Sequence, residues 1–309
     1  MASARVFALF GHPVTHSLSP VIHATAYAAL GLPHSYTAID VPTGGALVEA
    51  VDALRSGVLG GANVTLPHKR AVLAMCDELD PSAAELGAAN VLRLDRDGRI
   101  IAHNTDESAL AADIEALWTD APRLRAVVIG AGGAGLSAVA ACRRLGFKVI
   151  GVTNRSWTGT DVIMASPEAA RVRAMGALAL PWPSAETASD LKSSQVLRTQ
   201  WPVLAEGASL VVQATSAGML GADPGESVAE VVPWDLLGEG TLAYDVVYTP
   251  RMTPFLRAAV GRGLRAEGGL GMLVRQAAEA IVLWTGQTPP IDVMRRAAES
   301  ALDRGGHSV

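Results

Sequence analysis

RAVVIGAGGAGLSAVAACRRLGFKVIGVTNRS, residues Arg125 to Ser156, is the stretch that decides the fold. The apolar run Ala126-Val127-Val128-Ile129 reads as a strand that breaks at Gly130-Ala131-Gly132-Gly133-Ala134-Gly135. A helix of small residues follows from Leu136 to Leu145, then a second strand from Lys148 to Thr153. Strand, glycine loop, helix and strand at this spacing form a dinucleotide-binding βαβ unit. The first glycine permits the tight turn, the second lets backbone N–H groups approach a pyrophosphate, and the third lets helix and strand pack closely. The helix N-terminus favours the negative charge.

The end of the second strand indicates which dinucleotide. An NAD site places an Asp or Glu there for the ribose 2′-hydroxyl. Here no acidic residue occurs between Gly130 and Asp161, and Arg155 stands at that place between Asn154 and Ser156. A guanidinium with two small hydrogen-bonding neighbours suits a 2′-phosphate, which points to NADP.

A chain of 309 residues has room for about two domains, and its 50% hydrophobic content can bury a large core. A net charge of −5 without a basic tract argues against nucleic acid as a partner. Cys76 and Cys142 match no metal or redox spacing and read as buried thiols in a reducing cytoplasm. No signal peptide is expected, because the N-terminus leads directly into the strand-like Val6 to Phe10. The longest apolar stretch, Ala126 to Cys142, is short and broken by four glycines, so no membrane span is expected. Monomer and homodimer are both compatible with the sequence.

The nucleotide unit starts only near residue 125, so a whole domain precedes it. There, strands at Val6–Phe10, Tyr36–Val41 and Gly61–Leu66 alternate with helices at Pro20–Leu30, Ala46–Ser56 and Lys69–Leu79. Asn90–Asp95 and Arg99–His103 flank the turn signal Arg96-Asp97-Gly98 and read as a hairpin. The expectation is an α/β domain with a mixed sheet. A helix at Thr105–Leu117 leads into the second domain. Beyond the βαβ unit, a helix near Pro167–Met175, Pro181-Trp182-Pro183 and a polar stretch precede strands at Leu210–Ala214 and Leu242–Val247. Helices at Thr253–Gly263, Leu270–Thr285 and 291–303 close the chain.

Polar residues interrupt apolar runs at four element ends. Ser17 and Ser19, two apart before a helix, can point at one ligand; equally, Ser19 serves as an N-cap with Pro20 at N1. Alternation puts Asn63 and Thr65 on one strand face, Pro67 stops the strand, and Lys69 begins the expected helix against its dipole. A solvated surface lysine is the plain alternative. Asn104-Thr105-Asp106 joins a strand to a helix, where capping is also an explanation. Gln276 lies on an apolar-looking helix, with an exposed position as the alternative. His12, His16 and His68 fit no zinc spacing, so no metal is expected.

Taken together, these motifs resemble the shikimate/quinate dehydrogenase family. The matching pieces are Gly11-His12-Pro13-Val14-Thr15-His16-Ser17-Leu18-Ser19-Pro20, Gly61-Ala62-Asn63-Val64-Thr65-Leu66-Pro67-His68-Lys69, Asn104-Thr105-Asp106 and Gly130 to Gly135. Asn154-Arg155-Ser156, Ala214-Thr215-Ser216-Ala217-Gly218-Met219, Tyr244 to Pro250 and Gly269 to Ala278 continue in the family's order, across nearly the whole chain.

The resemblance implies a substrate domain of residues 1–106 plus 269–309 and a Rossmann NADP domain of residues 107–268, with the active site in a cleft between them. It implies Lys69 and Asp106 as the catalytic pair. Ser17 and Ser19, helped by Tyr248, would take a substrate carboxylate. Asn63, Thr65, Asn90, Asp106 and Gln276 would take ring hydroxyls of shikimate or 3-dehydroshikimate. Gly130, Ala131, Gly132, Gly133, Ala134, Gly135, Asn154, Arg155, Ser156 and Thr215 would hold NADP, with Val246, Gly269 and Met272 on the nicotinamide side.

Three positions depart from the family's pattern: Glu107 where Gly is common, Val91 rather than Thr after Asn90, and Gly159 where NADP-specific members carry a second basic residue. Quinate or aminoshikimate dehydrogenases and a non-catalytic NADP-sensing regulator are the neighbouring readings. Methylenetetrahydrofolate dehydrogenase shares the general architecture but lacks the paired serines.

Overall fold

The structure, a computed structural model, describes residues 3–183 and 204–305. The polar stretch expected after Pro183 falls mainly at residues 184–203, outside the described residues. The chain forms two compact units, Met1–Ala109 with Gly271–Val309, and Leu110–Leu270.

The first unit is built on a six-stranded mixed sheet in the order β2-β1-β3-β5-β6-β4. Its strands are β1 Val6–Gly11, β2 Ser35–Asp40, β3 Gly61–Val64, β4 Glu78–Leu79, β5 Val91–Leu94 and β6 Ile100–His103. β1 pairs in parallel with β2 and β3, whereas β5 runs antiparallel to both β3 and β6. Helices α1 Ser19–Ala29, α2 Gly44–Arg55 and α3 Pro81–Leu86 connect the strands. One face of the sheet buries Phe10, Val64 and Leu92 with Leu47 and Leu54 of α2. On β1, Phe7 stacks on Trp284 with ring centroids 4.7 Å apart.

The expected helix over Lys69–Leu79 is absent. A 3-10 turn spans Ala71–Met75, and Glu78–Leu79 pairs with β6 as a parallel edge strand. Tertiary partners override the helical pattern. The Lys69 carbonyl accepts from Ala89 N–H at 2.8 Å, and Asp77 N–H donates to the Ile100 carbonyl at 2.9 Å. Helix α3 was not foreseen, although Asp80-Pro81 carries its start signal: Asp80 accepts from Ser82 N–H and Pro81 opens the first turn.

Helix α4, Asp106–Leu117, carries the chain from the first unit into the second. The second unit holds β7 Arg125–Ile129, β8 Val149–Thr153, β9 Leu178–Leu180, β10 Ala208–Gln213, β11 Leu242–Asp245 and β12 Arg265–Gly268. All pair in parallel, in the order β12-β11-β10-β7-β8-β9. Read from the other edge, this is the 3-2-1-4-5-6 arrangement of a dinucleotide-binding sheet. Helix α5, Gly133–Arg144, follows β7, and α6 Thr160–Ala165 and α7 Pro167–Ala174 follow β8. Further on lie α8 Glu226–Glu230 and α9 Pro254–Gly261. Helix α10, Leu270–Thr285, returns the chain to the first unit, where α11, Ile291–Gly305, packs on α1. The short elements α6, β9, α8 and β12 were not foreseen.

Gly130 has φ +109°, and a Cβ on Gly135 would run into the Gly130 carbonyl. Helix α5 therefore approaches the turn as closely as backbone allows. A Cβ on Gly132 would meet nothing within 4 Å. Gly135→Ala should cost about 1–3 kcal/mol of stability through overpacking, and Gly132→Ala should cost much less. Urea unfolding of both variants checks this; equal midpoints would show that the close approach is not required.

Candidate active site

Sheet topology alone gathers polar residues at one edge of the first unit. β1, β3 and β6 all end there, and β5, being antiparallel, begins there. The chain following β1 brings Ser17 and Ser19, and that following β3 brings Thr65 and Lys69. Asn90 precedes β5, and Asn104-Thr105-Asp106 follows β6. Because β5 runs backwards, Asn90 sits among the carboxyl ends of its neighbours.

Asn90, almost fully buried, is the hub of this edge. Its Oδ1 accepts from Thr105 N–H at 2.8 Å, and its Nδ2 donates to Asp106 Oδ1 at 2.8 Å and to Thr105 Oγ1 at 3.0 Å. The Asn90 carbonyl accepts from Asn63 Nδ2 at 3.1 Å, and Asn63 Oδ1 accepts from the Tyr36 hydroxyl at 2.8 Å. Asn104 Oδ1 accepts from Asp106 N–H at 3.0 Å. Gln276, on α10, approaches Asn90 Nδ2 with its Oε1 at 3.4 Å.

The remaining Asp106 oxygen, Oδ2, accepts from Lys69 Nζ at 2.5 Å. The Asp106 side chain is 6% exposed and that of Lys69 is 20% exposed. The carboxylate is thus fixed from behind, and the ammonium retains donors on its accessible side.

Several expectations change at this edge. Lys69 does not oppose a helix dipole, because no α-helix starts there. Ser19 is not the N-cap of α1: Leu18 holds that position, and Ser19 N–H donates to Ser17 Oγ at 3.2 Å. The Ser19 side chain is buried and hydrogen-bonds toward Tyr36. Gln276 is half-buried rather than exposed. His12 pairs with Asp40 at 2.9 Å, while His68 Nε2 lies 2.6 Å from the Val41 carbonyl. Cys142 is buried and Cys76 half-buried, both free. Tyr36 was missed; its signal is faint, a tyrosine in an otherwise ordinary strand.

In the second unit, the glycine turn lies at the carboxyl end of β7, beside β10, where the strand order reverses. Ligands of open parallel sheets bind at such a point. A Cβ on Gly132 or Gly133 would meet nothing within 4 Å, so the backbone at the start of α5 is open to an approaching pyrophosphate. Thr215, after β10, packs against Gly130. At the end of β8, Asn154 Nδ2 donates to Ser156 Oγ at 2.8 Å, and exposed Arg155 donates to Asp223 Oδ2 at 2.7 Å. Asp223 was not singled out from the sequence; its signal is the turn-forming Asp223-Pro224-Gly225.

Val246 follows β11, and a Cβ on Gly269 would run into its carbonyl. Tyr248 is on the same loop in the second unit, and Met272 belongs to the first. Asp245 anchors that loop. Its Oδ1 accepts from Val247 N–H at 2.9 Å and from Gln213 Nε2 at 3.2 Å, and its Oδ2 accepts from the Thr253 hydroxyl at 2.6 Å. Burial pushes the Asp245 carboxyl up to about 7, with the Thr253 and Val247 hydrogen bonds pulling the other way.

Among the described residues no helix is long and apolar enough to cross a membrane, and no group of three or more His, Cys, Asp or Glu could hold a metal ion.

Comparison with known proteins gives this arrangement a context. A family model described as "Shikimate dehydrogenase substrate binding domain" matches residues 9–92, and "Shikimate 5'-dehydrogenase C-terminal domain" matches residues 269–299. The chain is 38% identical to a shikimate dehydrogenase (NADP(+)) of Moorella thermoacetica, over 97% of this chain and 95% of that one. A similar solved structure is the shikimate 5-dehydrogenase of Thermus thermophilus in complex with NADP(H) and shikimate. It has a TM-score of 0.78 and 36% identity, over 96% of this chain and 100% of that one. Quinate dehydrogenase from Corynebacterium glutamicum in complex with NAD is also similar, with a TM-score of 0.77 and 28% identity over 96% and 100%.

Asp245 provides a pH test. Its folded pKa is raised from 3.8 to about 7, so its stabilising contribution is complete below 3.8 and is lost as pH rises through about 7. Asp245→Asn keeps an acceptor for Val247 but cannot ionise. Measured by urea unfolding, the variant should gain stability relative to the native chain as pH rises from about 4 to above 7. Parallel pH profiles would refute the assignment.

Proposed function

The chain belongs to the shikimate dehydrogenase family, and we propose that it catalyses the reversible NADP-dependent reduction of 3-dehydroshikimate to shikimate. The observation that carries this reading is the 2.5 Å contact between Lys69 Nζ and Asp106 Oδ2, with Asp106 braced by Asn90. The relatives' shared NADP and shikimate chemistry supports it.

When bound, the nicotinamide of NADPH supplies the hydride that reduces the ring ketone. Lys69 donates a proton to the alkoxide as it develops, so that C=O becomes CH–OH, and regains a proton from solvent. Before the transfer, its ammonium stabilises the growing negative charge. Asp106 fixes the direction of that ammonium and accepts from a ring hydroxyl. In the oxidative direction Lys69 takes the proton back.

Asn63, Thr65, Asn90 and Gln276 hold the ring hydroxyls. Ser17 and Ser19, with Tyr248, take the substrate carboxylate. The glycine turn of residues 130–135 holds the pyrophosphate and Arg155, with Asn154 and Ser156, takes the 2′-phosphate, while Thr215, Val246, Gly269 and Met272 complete the cofactor contacts. The partners are small molecules rather than nucleic acid, a reading supported by the net charge of −5. A reducing cytoplasm is the proposed setting, supported by the free thiols Cys76 and Cys142.

Lys69→Ala and Asp106→Asn should each lower kcat for shikimate oxidation by about 10²–10⁴-fold while the far-ultraviolet circular dichroism stays native. Normal turnover in both variants would sink the assignment. The native enzyme should favour shikimate with NADP⁺ in a matrix of shikimate, quinate and aminoshikimate against NADP⁺ and NAD⁺. A quinate maximum would move it to the quinate branch of the family.

A further inference from the structure

Arg155 already has an anionic partner. Its guanidinium donates to Asp223 Oδ2 at 2.7 Å, while Asp223 Oδ1 accepts from Gly225 N–H at 2.9 Å. The Asp223 carbonyl also accepts from Gly218 N–H at 2.7 Å. This loop is tightly folded. Gly225 has φ +98°, and a Cβ there would lie 2.7 Å from Gly218 N. The carboxylate is therefore attached to a backbone with little room to retreat. Both partners are substantially solvent-accessible, the Arg155 side chain 51% and the Asp223 side chain 37%.

We propose that Asp223 is a specificity-determining residue that weakens discrimination for a 2′-phosphorylated nucleotide by occupying one arm of Arg155 and placing a fixed negative charge beside it. This rests on the reading of Arg155 as the residue that holds the 2′-phosphate of the nucleotide.

The chemistry decides the direction of the effect. A guanidinium has five N–H donors, so Arg155 can still face a phosphate with those that Asp223 leaves. It does so with part of its charge matched by a carboxylate, and the incoming phosphate carries roughly two negative charges of its own. Gly159 brings no second cation to offset this. A 2′-hydroxyl carries no charge and meets no such repulsion, and both Asp223 oxygens already accept, from Arg155 and from Gly225 N–H. The carboxylate therefore acts on the NADP side of the comparison and leaves NAD nearly untouched. Because the pair is exposed, the effect is modest and falls with salt.

The test measures equilibrium binding of 2′,5′-ADP and 5′-AMP to the full chain by calorimetry, at low and high salt. Asp223→Asn keeps the acceptor for Gly225 N–H and removes the charge. It should tighten 2′,5′-ADP by about two- to fivefold at low salt, less at high salt, and leave 5′-AMP where it was. In an Arg155→Ala background the same substitution should lose most of its effect.

An unchanged or reduced preference for 2′,5′-ADP in Asp223→Asn overturns the proposal. So does an equal gain for both nucleotides, or a gain that persists in full without Arg155. Failure of the underlying reading looks different: the native chain would bind the two nucleotides equally, and Arg155→Ala would change neither.

Discussion

The Asn90 side chain commits both of its polar atoms to the turn that carries Asp106. Oδ1 accepts from Thr105 N–H at 2.8 Å, and Nδ2 donates to Asp106 Oδ1 at 2.8 Å. Its own backbone ties the neighbouring strands, donating to the His103 carbonyl and accepting from Val64 N–H. A buried carboxylate is costly unless hydrogen bonds and a counter-charge compensate it. Asp106 has both, the first from Asn90 Nδ2 and the second from Lys69, while Asn104 holds the Asp106 backbone N–H. Without Asn90 at the start of β5, Oδ1 would lose its amide donor and the carboxylate would be free to turn. The antiparallel β5–β6 hairpin is what places Asn90 there, so a choice of strand direction becomes a constraint on the Asp106 carboxylate.

The second unit solves a different problem by different means. Its glycine turn and the loop after β11 bring backbone close to backbone, so the critical positions are defined by what is missing. Gly135 and Gly269 accept carbonyls where a methyl group would collide, and Gly132 and Gly133 keep space open. Polar side chains act there mainly as braces. Gln213 and Thr253 converge on Asp245, which turns the loop carrying Val246 back toward Gly269. The raised Asp245 carboxyl is the energetic consequence of burying that brace.

These two designs explain what the sequence disclosed. Glycine spacing and strand periodicity are local, so β7, α5 and β8 were legible, as was the hairpin around Arg96-Asp97-Gly98. Leu270–Thr285 was legible to the residue because its apolar face is long and uninterrupted. Lys69 to Leu79 misled because its apolar pattern suits a helix, while the deciding bonds come from Ala89 and Ile100, remote in sequence. Ser19 misled for a related reason: Ser-Pro is a valid helix start, but the cap position belongs to Leu18 and the hydroxyl turns toward Tyr36. The four clusters of polar residues were visible as interruptions of apolar runs. Their convergence was not, since it follows from the sheet order β1-β3-β5-β6, which no local pattern encodes.

Arg155 shows the same limit for charge. Read along the chain, it is a cation between Asn154 and Ser156 with no acidic residue nearby. In the fold its guanidinium meets Asp223, far along the chain on the loop beyond β10. A motif reports which charge a segment carries, but a ligand responds to the field at the site, and that includes every carboxylate the fold returns to it. Lys69 and Arg155 are therefore parallel cases with opposite consequences. For Lys69, the returning carboxylate aligns an ammonium whose other donors stay on its accessible side. For Arg155, the carboxylate takes up one guanidinium donor and sets a negative charge beside the others. In each case the cation's role depends on the anion that the fold sets against it.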